Sequence, residues 1–429
     1  MHPYDPYLDV LSERAAAMRE RVLEWVRIPS GSHDEAGLAR MAGELKNAFA
    51  VLGAPAEEIA LEPQAAIDSR GEPASLPLGK ALRFRKRPDA PLRVFLGIHY
   101  DVVYGEAAAA GENALAPSGD GAGTRVRPLI QVEGDVLRAS GACDAKGGIA
   151  ILLHAVEAFE ASPFAAGVGW EILLNPDEEL GSPGSLPLLK EAAARNHLGL
   201  LYEPCLADGN LVGARKGSGN FAAVMRGRAS HAGRDPHLGR NAVHALAEFI
   251  VALDGLGRRH GGINVNVGKI EGGGALNRVP DLAIARFNLR VRDGGDQRAA
   301  EEFLRGQAEE FARREGFSLS LHGRFTSPPK PLEGRGLALL EAVAGCGRDL
   351  GMDLRWLSSG GVSDGNKLAA AGLPNVDTLG ARGGDIHSPE EWLDLKSLEE
   401  RARLTALVLM KLGAGELGWP PGGGLTGRI

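Results

Sequence analysis

The chain has 429 residues and only three cysteines, Cys143, Cys205 and Cys346. These are too few and too scattered for a disulfide framework, and they suit a reducing compartment. No apolar run approaches the roughly 20 residues that a membrane span needs. The opening "MHPYDPYLDV" carries acids and lacks the apolar stretch of a secretory signal, so a cytoplasmic location is expected. There is no excess of positive charge: the formal net charge is -7 and the pI is near 5.9. That balance argues against a general nucleic-acid or membrane-surface role. The one short basic run, "RFRKR" at 83–87, reads as a solvated loop. No internal repeat is visible. The first strands are not followed by a G-x-G-x-x-G, which argues against a dinucleotide-binding enzyme on a similar sheet.

What is present describes a soluble globular protein, 44% hydrophobic and 24% charged, too long for one ordinary core. Helical periodicity runs through "LSERAAAMRERVLEWVRI" and "DEAGLARMAGELKNAFAVLG", and the second stops at Gly53. Residues 61–91 read as an irregular insertion or a hairpin. Short apolar runs then alternate with helical patterns: "LRVFLGI", "GGIAILLHAVEAFEA", "GWEILLN", "GSLPLLKEAAARN", "LGLLYEP". That alternation predicts an α/β fold, a mostly parallel sheet covered by helices on both faces. Near residue 214 the pattern changes to cleaner strand alternation with two amphipathic helices, a small α+β unit covered on one face. "SPPKP" marks its exit, and the α/β pattern resumes. The expected division is a catalytic domain of residues 1–213 and 327–429, interrupted by an inserted domain at 214–326. The "PPGGGLTGRI" tail is expected to be mobile.

Acids and histidines gather where the predicted strands end. His99 and Asp101 follow "LRVFLGI"; Asp144 precedes a helix in "GACDAKGG"; Asp177, Glu178 and Glu179 follow "EILLNP"; Glu203 sits in "LYEPC"; His387 lies in "GDIHSPEEW". Each has a bland reading. An HxD can tidy a strand end, an Asp before a helix can cap it, paired glutamates are usually solvated, and a late histidine can be a satisfied loop residue. Together they would meet in the crevice at the carboxyl ends of the strands. Imidazoles and carboxylates crowded there would repel or desolvate one another unless a cation neutralised them. Nitrogen and oxygen donors without thiolate suit zinc, and also manganese or cobalt. Cys143 and Cys205, flanking two of these acids, read as small buried hydrophobes.

In order and spacing these motifs resemble the dinuclear zinc aminoacylase and carboxypeptidase superfamily, which includes glutamate carboxypeptidase, succinyl-diaminopimelate desuccinylase and acetylornithine deacetylase. The likeness spans about 92–415, and "GGVSDGNKLAAAGLPNVDTLGARGGDIHSPEEW" is most similar to the glutamate carboxypeptidase branch. The resemblance implies two divalent ions, zinc first and cobalt or manganese as alternatives. It implies that Asp144 bridges them, with His99 and Glu203 completing one site and Glu179 and His387 the other. Asp101 would hold the second nitrogen of His99, and Glu178 would be the general base. His231 in "ASHAG" is similar to a histidine that reaches a neighbouring subunit's active site to stabilise the oxyanion, so a homodimer through the inserted domain is implied. Asn277 and Arg292 resemble binders of the substrate carboxylate. Arg290 is a rival, because strand alternation puts it on the same face as Arg292. Asp364 in "SSGGVSDGN" either lines the pocket or caps the following helix.

The chain departs from the family's pattern at Ala145, which follows the bridging Asp, and in the long stretch between Asp101 and Asp144 containing "GEAAAAGENALAPSGDGAG". The implied activity is hydrolysis of an amide bond beside a free carboxylate, of glutamate carboxypeptidase type, acting on a small peptide. The alternative is a deacylase of N-acyl amino acids. A catalytically silent binding protein is the third reading, disfavoured because every metal-shell position and the base are filled.

Overall fold

The computed structural model describes residues 2–103 and 130–419. The inserted stretch 105–123 and the C-terminal "PPGGGLTGRI" lie outside the described residues. The main sheet has six strands in the order Glu57–Ala60, Lys80–Lys86, Val168–Asn175, Leu92–His99, Leu198–Leu201, Asn375–Val376. The first two pairings are antiparallel and the last three parallel, so the expected α/β architecture holds. Val168–Asn175 and Leu198–Leu201 are buried at every position. That is why they read as continuous apolar runs rather than alternating ones.

Side chains leave these strands in two directions. Val94, Leu96, Ile98, Ile172 and Leu200 join a core with the helices Gly148–Glu160 and Lys396–Gly413. Phe95, Leu173 and Leu201 pack against the helices Leu186–Arg195 and Asp364–Ala370 on the other face. Among the described residues no helix is long and apolar enough to cross a membrane.

"RFRKR" is not a solvated loop. Arg83–Lys86 belong to the second strand of the sheet, with Leu82 and Phe84 buried and Arg83 paired bidentately with Glu57 at 2.9 and 2.7 Å. The alternation of Leu82 and Phe84 with arginines was the strand signal, masked by the charges between them. The rest of 61–91 includes a hairpin, Gln64–Ile67 with Pro73–Leu76.

Residues 217–327 form a second sheet, wholly antiparallel, in the order Ile263–Gly272, Leu282–Val291, Gly217–Arg226, Ser318–Ser327. One face has its own core, with Met225, Ala285, Phe287 and Leu289 against Leu246, Phe249 and Leu253 of the helix Ala242–Arg259 and Leu304 of Gly294–Ala312. Asn241 and Asp293 cap those helices with side-chain oxygens. The opposite face is not bare, as the sequence suggested: Ile67 of the hairpin packs on Ala222, Val224 and Ile284.

The two crossings between the sheets run side by side, Arg215 and Lys330 exchanging backbone hydrogen bonds of 2.9 and 3.0 Å. Both side chains converge on the buried carboxylate of Asp377, Arg215 through two bonds of 2.8 and 3.1 Å and Lys330 through one of 2.9 Å. Asn366 adds hydrogen bonds to the carbonyls of Lys216 (2.9 Å) and Pro328 (2.7 Å).

Candidate metal centre

The parallel register explains why distant residues meet. His99 lies opposite Asn175, and Gly97 opposite Leu201. The chain therefore delivers His99, then Glu178 and Glu179, then Glu203 at one edge of the sheet. His99 is buried, and its Nε2 lies 3.0 Å from Asp144 Oδ1 and 3.7 Å from Glu203 Oε2. The other oxygen of Asp144 faces His387, Oδ2 to Nε2 3.3 Å, and the same nitrogen is 3.1 Å from Glu179 Oε2. Asp144 thus divides its two oxygens between two sets of donors. Ligand atoms of His99, Asp144 and Glu179 all lie within 4.8 Å of one another.

Asp144 does not cap the helix after it; it sits in the tight turn Ala142–Gly147, outside helical backbone angles, before a cis peptide to Ala145. His387 and Asp385 have left-handed backbones, φ 61° and 52°. That conformation costs a non-glycine residue roughly 1–2 kcal/mol and is held where surrounding structure over-determines it.

Asp101 meets the Nδ1 of His99 through its backbone carbonyl at 2.9 Å, with carboxylate Oδ1 at 3.3 Å. Nδ1 then carries the proton, and Nε2 keeps its lone pair for a ligand. The Asp101 carboxylate does more than orient one ring. It accepts N–H from Glu178 (3.1 Å) and Glu179 (3.2 Å) and the hydroxyl of Ser32 (2.7 Å). Two further carboxylates, Asp177 on this loop and Asp364 beside it, have structural tasks. Asp177 accepts the N–H of Gly184 and Ser185 at 2.8 and 3.1 Å. Asp364 receives the Asn175 amide at 2.8 Å, the hydroxyl of Ser182 and the ammonium of Lys367 at 2.8 Å. Ser363, not Asp364, caps the helix Asp364–Ala370. The loop bearing Glu178 and Glu179 is therefore fixed by buried acids on three sides.

The electrostatics match a cation site. Burial pushes Glu178 well above the usual carboxylate range, and Glu203 adds to the rise. Burial lifts Glu203 and raises Glu179 to about 7, Asp144 contributing. For Asp144 burial also opposes the charge, but hydrogen bonds from His387 and His99 hold its carboxyl below the ordinary range. His387, bonded to Asp144 and Glu179, is raised to about 11. Four carboxylates crowded together destabilise one another's charges unless positive charge is supplied, by protonated imidazoles or by metal ions in their place. Oxygen and nitrogen donors in two trios that share Asp144 fit two divalent ions, and the donor types fit zinc. The Cys143 thiol turns instead to the Ala381 carbonyl, 3.8 Å away.

The inserted sheet carries the remaining candidates. His231 is exposed, its Nδ1 accepting N–H from Gly233 (3.2 Å) and Arg234 (3.0 Å). Asn277 lies beside it, its carbonyl accepting the Ala232 N–H at 2.9 Å. Arg292 is not brought to the metal donors: it is 65% exposed and pairs with Asp293 and Asp296 at the start of the next helix. Arg290 reaches out of the inserted sheet, donating to the Gly360 carbonyl at 2.7 Å.

Fold and donor set define a metal-dependent hydrolase. The chain belongs to peptidase family M20/M25/M40, whose model matches residues 95–411. It is 28% identical over 299 residues to carboxypeptidase G2 of Pseudomonas sp. (strain RS-16), covering 68% of this chain and 71% of that one. It is also 28% identical over 327 residues to succinyl-diaminopimelate desuccinylase of Psychrobacter sp. (strain PRwf-1), covering 71% and 78%. Its fold matches that of the M20 family metallo-carboxypeptidase Sso-CP2 from Sulfolobus solfataricus with a TM-score of 0.68 at 17% identity, over 92% of this chain and 99% of that one.

Proposed function

We propose that the protein is a two-metal carboxypeptidase that cleaves an amide bond beside a free carboxylate in small peptides. The observation that carries this reading is the division of the Asp144 oxygens, Oδ1 toward His99 and Oδ2 toward His387. It suits one bridging carboxylate with His99 and Glu203 on one ion and Glu179 and His387 on the other. Two bound zinc ions would acidify a shared water and polarise the scissile carbonyl. Glu178, next to a ligand but with its own carboxylate left over, takes the proton from the attacking water and returns it to the leaving amine.

Arg290 holds the substrate carboxylate in preference to Arg292, because it reaches across to the Gly360 carbonyl while Arg292 is exposed and paired with Asp293 and Asp296. A guanidinium suits a carboxylate bidentately. His231 acts on the oxyanion: its Nδ1 accepts two backbone N–H groups, which leaves Nε2–H as the donor. Its exposure suits action on the site of a second copy, with 214–326 as the dimerising unit and Asn277 assisting. All three cysteines are free and buried, in keeping with the cytoplasm.

A second reading, a deacylase of N-acyl amino acids, is favoured by the likeness to the desuccinylase. Assaying dipeptides beside N-acetyl and N-succinyl amino acids separates the two. Turnover of dipeptides is expected, and turnover of acyl compounds alone overturns the carboxypeptidase assignment.

A further inference from the structure

One carboxylate between the ligand-bearing segments is not used in the chemistry above. Glu391 follows His387 by four residues and opens the strand Trp392–Asp394, which pairs antiparallel with Val136–Arg138, Trp392 opposite Arg138. That register lays Glu391 along residues 139–144. Its carbonyl accepts the Ala139 N–H at 3.2 Å. Its Oε1 accepts the N–H groups of Cys143 (2.9 Å) and Asp144 (3.0 Å), and its Oε2 that of Gly141 (2.8 Å). The residue is 2% exposed. Gly141, with φ 73°, allows the turn that points these N–H groups at one place.

Such a nest of backbone donors binds an anion through charge-assisted bonds, and here the anion is the protein's own. The arrangement is expensive. It buries a further carboxylate beside that of Asp144, and each opposes the charge of the other. What it secures is specific: one side chain grips the backbone of Asp144 and stands on the same short segment as His387, the donors on either side of the cluster.

Resting on the two-metal reading, we propose that Glu391 is a positioning residue that presets Asp144 and His387 for the metal ions. A glutamine in its place keeps the shape but turns an amide N–H2 or a single oxygen toward donors that need both oxygens.

The test uses metal-stripped full-length protein, titrated with Zn2+ by competition calorimetry and with Co2+ by visible absorption. Glu391→Gln is expected to weaken the binding of at least one ion by roughly 10–100-fold. It should also change the Co2+ absorption at saturating metal, which a general loss of stability does not do. Glu391→Asp, which keeps the charge at shorter reach, is expected to fall between wild type and Gln, and serves should Gln not fold. Wild-type affinity and an unaltered Co2+ spectrum in the variants overturn this inference alone. Wild-type protein that takes up neither ion overturns it together with the two-metal reading.

Discussion

The metal centre and the tip of the inserted sheet are built in opposite ways. At the centre, His99, Asp101 and Asp144 are buried and each side chain has several partners; three parallel strands in register lead to His99, Glu178–Glu179 and Glu203, and a tight turn supplies Asp144. At the tip, His231 and Asn277 are exposed and bonded to their own loops. The first arrangement is complete within the chain. The second offers an oriented donor, the Nε2–H of His231, with no acceptor among the described residues. On the proposed mechanism this is a division of labour: the ions and the water are handled by buried groups with several partners each, while the carbonyl is met by a group that arrives with a second copy.

The strongest way to break that division is Glu178→Gln. Turnover is expected to fall by roughly 10²–10⁴-fold with metal content unchanged by elemental analysis. Substantial residual turnover removes Glu178 from the chemistry, and loss of metal would make it a ligand instead.

His231→Ala is expected to lose roughly 10²–10³-fold with full metal content, so the tip acts without holding the ions. Mixing it with Glu178→Gln under conditions of subunit exchange sharpens the point. A mixed dimer can assemble one site with wild-type Glu178 and wild-type His231 from different chains. Recovered activity supports action in trans. Its absence, with dimers confirmed by sedimentation, confines His231 to its own chain.

A smaller effect separates the neighbouring arginines of the inserted sheet. Arg290→Ala is expected to lower kcat/KM by about 10-fold, and by as much as about 100-fold, the range of a charge-assisted bond of about 1.5–3 kcal/mol. Arg292→Ala should change it little. A substrate amidated at its C-terminus should lose the distinction, because the group that Arg290 binds is gone. Equal losses in both variants would mean that neither is the carboxylate site.

How much of this was legible in the sequence follows from the same geometry. Candidate site residues at strand ends stood out because an apolar run stopping just before His99, Glu178–Glu179 or Glu203 is visible locally. The alternation around residues 263–291 gave the inserted sheet for the same reason. Long-range polar pairing was hidden. Nothing in "SPEEW" distinguishes exposed Glu390 from buried Glu391, because strand pairing with 136–138 decides which one turns inward. Arg215, Lys330 and Asp377 form one buried cluster from three separate stretches, and none carries a local mark. Arg290 and Arg292 share a strand face by alternation; the strand ends at Val291, and Arg292 turns to the helix behind it. Asp364 stood open between the pocket and a helix cap; Ser363 takes the cap, which frees Asp364 for the Glu178 loop.

The smallest predicted effect concerns two imidazoles inside the catalytic unit itself. His99 and His154 are equally sequestered, 1% and 4% exposed. Burial opposes the charge on both, yet Glu203, Asp101 and Asp144 carry His99 well above its ordinary value. Neither ring nitrogen of His154 has a hydrogen bond among the described residues, and its nearby Glu157 carboxylate is 3.7 Å away. Burial, with Arg21 and Arg14 adding, pushes it down to about 4. Its folded value therefore lies below the roughly 6.5 of an unfolded histidine. Between those values the unfolded chain binds a proton that the folded chain refuses, so stability falls as pH drops from about 6.5 toward about 4. Between about pH 7.5 and pH 5.5 this one group should remove on the order of 1 kcal/mol. Urea unfolding at both pH values, in wild type and His154→Leu, isolates the term, since acid release of metal is common to both proteins. A flatter pH dependence in the variant is expected. An identical dependence would mean that His154 finds a partner for its charge, and that burial alone does not separate it from His99.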